Sequence, residues 1–88
     1  MKEELATLVE RLGHLAAAGF TMGPEWEAVH TICQAHEGEP LFDWGHALCH
    51  RVEGDDANAA YWYRRAGKPQ PRVSLSQEWE EMKIALSR

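Results

Sequence analysis

Apolar residues recur at helical spacing from one end of this chain to the other, and glycine or proline cuts them into short blocks. Leu5, Leu8, Val9, Leu12, Leu15 and Ala16 fall at i, i+3, i+4 and i+7, one face of a helix. Gly19 ends that block, and Phe20 is placed to fold back on Leu15, as a Schellman-type cap arranges. Gly23-Pro24 starts a second helix carrying Trp26, Val29 and Cys33, which runs toward His36 or Glu37. Gly38-Glu39-Pro40 is the next stop and start, and a third helix reaches about residue 53 with Gly54 as its cap. Asp55 or Asp56 caps a fourth helix that ends at Gly67. Lys68-Pro69-Gln70-Pro71 is an extended connector, because its prolines cannot continue a helix. Ser74 and Gln77 then have capping-box spacing ahead of the stripe Leu75, Trp79, Met82 and Leu86. No segment alternates with a period of two. The expected fold is therefore all-α, a small bundle of about five helices in antiparallel hairpins.

Eighty-eight residues are expected to make a single helical domain, 1–88, with little room for a second core. A chain of this length buries roughly 60–65% of the surface its unfolded form exposes, so a partner, a metal or a second subunit would add usefully to its stability. The net charge of −5 argues against nucleic acid, whose phosphates need a basic surface, and against an anionic membrane surface. The N-terminal stretch is broken by Glu10, Arg11 and His14, which fits neither a signal peptide nor a membrane span. A cytoplasmic location is expected, with Cys33 and Cys49 as reduced, buried thiols.

The run from Asp43 to Gly67 is chemically the richest. It holds two Trp, two Tyr, two His, three Arg and four acidic residues in 25 positions, more polar variety than a plain helix pair requires. On the third helix Leu41, Trp44, Leu48 and Val52 fall on one side. Asp43, His46, His50 and Glu53 share the other, within roughly 80°. Such a stripe serves as a solvated face or as a site. His46 and His50 are spaced i, i+4, so both imidazoles reach one point above the helix. His30 would join them if the second and third helices form a hairpin. A divalent transition metal would then take His30, His46 and His50, with Glu53 or Asp43 as first- or outer-sphere carboxylate. The same residues without metal would suit acid–base chemistry.

The fourth helix places Asn58, Tyr61, Trp62 and Arg65 on one face, and Ala59, Tyr63 and Ala66 on the face expected to meet the third helix. The first face is expected either to meet the first or fifth helix or to line a groove. Arg64 and Arg65 would pair with Glu53, Asp55 or Asp56. With Trp26, Asp43, Trp44 and Arg51, that face would line a polar-aromatic groove for a small molecule or a peptide, since Trp, Tyr and Arg dominate binding hot spots. Arg51, Arg64, Arg65 and Lys68 suit a carboxylate or phosphate. A structural or oligomerising role is the third reading, with Trp79 or Tyr61 surfaces covered in a homodimer.

Two resemblances rest on these residues. Asp55, Ala59, Trp62, Tyr63 and Ala66 follow D-x-x-x-A-x-x-W-Y-x-x-A, which resembles the second helix of Sel-like tetratricopeptide-type repeats. It occurs once, and it implies a tetratricopeptide-like central helical hairpin. More broadly, Trp26-x-x-x-His30, His36-Glu37-Gly38 and the run DW-x-HA-x-x-HR-x-EGD-x-x-NA-x-YWYRRAG resemble a family of small bacterial proteins without an assigned activity. That likeness implies a fold and carries over no catalytic or binding residue.

Overall fold

The computed structural model describes residues 2–87. Five helices follow one another: α1 Lys2–Ala17, α2 Pro24–Ala35, α3 Pro40–Glu53, α4 Asp56–Ala66 and α5 Leu75–Leu86. Among the described residues there is no strand. The helix ends lie where the sequence places them. Pro24 and Pro40 open α2 and α3. Asp55 accepts from the Asn58 amide at 3.2 Å, and Ser74 from the Gln77 amide at 3.1 Å. The Phe20 amide donates to the Leu15 carbonyl at 3.0 Å, so the chain folds back after α1 as expected. Gly54 turns α3 into α4 at φ 86°, a backbone conformation that costs a side-chain-bearing residue energy.

α3 is the centre of the molecule. It packs against each of the other four helices, while α4 packs its backbone on α3 alone. Every residue from Phe42 to His50 is buried. Of the two readings of the α3 stripe, a solvated face holds only at Glu53, which is exposed: Asp43, His46 and His50 are 1%, 2% and 7% exposed. An amphipathic pattern on a helix with neighbours on all sides marks which partners it meets, not which side is wet. Leu8, Leu12 and Leu15 of α1, Val29 of α2 and Leu48 of α3 are fully buried. Each is worth roughly 1.5–3 kcal/mol against exposure. The close approach of α3 to α1 and α2 depends on Gly45. A Cβ there would lie 2.9 Å from Cys33 Sγ and 3.5 Å from Leu8 Cδ1.

Two further expectations change. Trp79 is buried in the core and offers no dimer surface, whereas Tyr61 is 44% exposed. Trp62 does not share Tyr61's outward face: Trp62 and Tyr63 are both buried, and these consecutive residues straddle α3. Trp62 reaches one flank of α3 and Tyr63 the other. None of the described helices is long and apolar enough to cross a membrane.

Candidate metal centre

α2 and α3 bring His30, His46 and His50 together. One nitrogen from each lies within 4.8 Å of the others. The His30 ring stands edge-on to both partners, with centroids 4.8 Å from His46 and 5.3 Å from His50. His46 and His50 lie one helical turn apart with rings 4.9 Å apart. Two indoles close the sides: Trp26 stacks on His30 at 4.7 Å and Trp62 on His46 at 3.9 Å. The Trp26 indole N–H donates to the Cys49 carbonyl at 2.7 Å, which locks α2 onto α3 beside the cluster.

Each imidazole sits in a different environment. His50 Nδ1 is 2.8 Å from Glu53 Oε1. A carboxylate oxygen only accepts, so Nδ1 carries a proton, and in the neutral ring Nε2 is the nitrogen with the lone pair. Asn58 Nδ2 is 3.5 Å from the same Nδ1. His46 is nearly sealed, and its Nδ1 is buried without a hydrogen-bond partner. Burial, reinforced by His30 and His50, pulls its pKa down to about 4, so the ring is neutral at pH 7. His30 is half-buried and its pKa is also lowered, first by burial and then by His50. Glu27, Glu53 and Glu37 act on His30 in the opposite direction, as negative charges favouring its protonated form. His50, Glu53 and Asp55 form a second group of donors at the rim, sharing His50 with the first.

The remaining candidate residues separate into three places. Asp43 does not join the histidines: its Oδ1 accepts from the Gly38 amide at 3.1 Å and fastens the α2–α3 turn. Arg65 donates to the Tyr61 hydroxyl at 2.9 Å and lies 5.1 Å from the Trp62 ring centroid, pairing with aromatic rings and not with Glu53, Asp55 or Asp56. Trp44 and Arg51 lie on the opposite flank of α3, around a residue that the sequence reading missed. Glu78 of α5 is 1% exposed. Its Oε2 accepts from Trp44 Nε1 at 3.0 Å and from the Tyr63 hydroxyl at 2.6 Å, and its Oε1 from Arg51 at 2.8 Å. Burial and Glu78 together push the Tyr63 phenol well above its ordinary pKa, so it stays a donor. Arg51 also donates to the Val73 carbonyl, which pins the connector ahead of α5. Arg51 does grip a carboxylate, as its residue type suggests, but that carboxylate belongs to its own chain. A signal existed: Glu78 falls on the Leu75–Trp79–Met82–Leu86 stripe at i+3 from Leu75.

No family model, no curated protein and no solved structure matches this chain.

Proposed function

We propose that this protein is a helical metal-binding module that holds one divalent transition ion, zinc(II) foremost, on His30, His46 and His50. The observation that carries the reading is the convergence of three imidazoles on α2 and α3, one nitrogen each within 4.8 Å, with His46 and His50 buried and His30 half-buried. Zinc–imidazole bonds of about 2.0–2.1 Å require tetrahedral nitrogens about 3.3–3.5 Å apart, so small side-chain rotations would close the set. Three further features support it. His46 is held neutral, as a ligand must be, and it has a buried nitrogen without a partner. Glu53 fixes the tautomer of His50 in the arrangement that carboxylates give to zinc-bound histidines. The carboxylates near His30 favour a cation. Three protein ligands leave a position for water or a small ligand, on the side where His30 meets solvent. In a reducing cytoplasm Cys33 and Cys49 remain thiols. Burial raises the pKa of both, which keeps them from competing as thiolates.

Metal content and zinc titration of protein purified without a histidine tag test this reading. The expected result is one equivalent of zinc per chain, with affinity lost by at least about tenfold in His30→Ala, His46→Ala and His50→Ala, a common cost of disturbing a zinc site. Less than about a tenth of an equivalent, with no stabilisation on adding zinc, removes the reading.

A further inference from the structure

The cavity on the other flank of α3 has no part in the metal reading. It measures about 170 Å³ and is lined by Trp44, Tyr63, Lys68, Pro69, Pro71, Glu78 and Glu81. For scale, an engineered cavity of about 150 Å³ admits benzene. Its walls are an indole face, a phenol and two proline rings. Its carboxylates differ in kind. Both oxygens of Glu78 are committed to Arg51, Trp44 and Tyr63. Glu81 is exposed and has no ion-pair partner among the described residues. One cation already uses the site: the Lys68 ammonium stands 4.1 Å from the Trp44 ring centroid. Lys68 is itself exposed and follows Gly67, at the start of the extended connector.

We propose that this cavity is a binding site for an alkylated ammonium group, dimethyl or trimethyl, and that Lys68 is a built-in plug which the ligand displaces. The Trp44 face supplies cation–π attraction, and Glu81 supplies the counter-charge at the mouth. The three resident donors leave Glu78 at most one spare lone-pair site, so a primary ammonium could recover hydrogen bonds only there and at the exposed Glu81. Such a group would surrender three hydrogen bonds to water and recover few, whereas a methylated one has little hydration to lose. The prolines Pro69 and Pro71 hold the connector extended, so that the Lys68 side chain can swing out without moving the wall behind it.

The test is a titration with tetramethylammonium chloride, followed at the Trp44 indole N–H resonance, with sodium and ammonium chloride as controls of equal ionic strength. Trp44→Phe assigns the resonance. A saturable shift with tetramethylammonium alone is expected. Lys68→Ala should tighten binding about two- to fivefold, the range that an exposed cation–π contact is worth. Glu81→Gln should weaken it. Lys68 and Glu81 are exposed side chains, so both variants should fold. No saturable shift, an equal shift with the control salts, or unchanged affinity in Lys68→Ala would each overturn the proposal.

Discussion

Two polar clusters flank α3, and they are built on opposite principles. Around Glu78 every strong donor has an acceptor: one carboxylate takes Arg51, Trp44 and Tyr63 and thereby joins α3, α4 and α5. Around His46 the rings are packed as tightly, yet a buried nitrogen goes without a partner and a second ring, when neutral, keeps a lone pair on Nε2. Buried polar groups are normally satisfied, and an exception marks strain, a functional group or an unseen ion. A satisfied cluster is a clasp, while one with spare lone pairs has capacity for something else. The same helix thus carries a structural network on one flank and a candidate ligand set on the other.

The contrast can be broken most forcefully at Glu78. Glu78→Ala leaves the buried end of Arg51 and the donors of Trp44 and Tyr63 unpaired, and should cost about 3–5 kcal/mol in urea denaturation. A cost under about 1 kcal/mol would mean that the clasp contributes little. Zinc should act next most strongly, and only on the other flank. At free zinc a hundredfold above Kd the gain is about 2.7 kcal/mol, seen as a rise of roughly 10–20 °C in the thermal midpoint. Glu78→Ala, where it still folds, should keep that rise, and His50→Ala should lose it.

Acid also separates the clusters, with an effect of similar size. In metal-free protein His46 is neutral when folded, with a pKa of about 4, against an ordinary 6.5 when unfolded. Below that ordinary value the unfolded chain takes up a proton that the folded chain refuses. The stability is present above 6.5 and is lost as pH falls toward 4, by up to about 3 kcal/mol. Urea midpoints across this range should fall more steeply for the wild type than for His46→Phe, and parallel curves would contradict the assignment. The smallest effect is expected from His46→Phe itself at neutral pH. An apolar ring takes over the stack on Trp62, and the change should be within about 1 kcal/mol without metal, because no hydrogen bond is surrendered. The zinc response should vanish entirely.

Much of the fold could be read before the structure, for a physical reason. Helix ends are set by local chemistry, and Pro24, Pro40, Gly54, Asp55, Gly67 and Ser74 sit at or beside the boundaries that they signal. His30, His46 and His50 were also legible as a set, because i, i+4 spacing is local and a hairpin of α2 and α3 follows from the short loop between them. Long-range burial was not legible. The polar stripe on α3 resembles a wet surface in a wheel projection and becomes core only because α2 and α4 cover it. Asp43 shares that stripe, yet its carboxylate is drawn to the Gly38 amide by a turn whose geometry the wheel does not contain. Glu78 was passed over because its stripe was read as apolar, although its position at i+3 from Leu75 placed it inward.

The central claim is that three imidazoles on α2 and α3 share one ion. Zinc X-ray absorption on tag-free protein loaded with one equivalent measures this most directly. The account predicts three imidazole nitrogens at about 2.0–2.1 Å, with one light-atom ligand completing the shell. It also predicts the loss of one imidazole contribution in each of His30→Ala, His46→Ala and His50→Ala. A shell of oxygen ligands, or a spectrum unchanged by those substitutions, would contradict it.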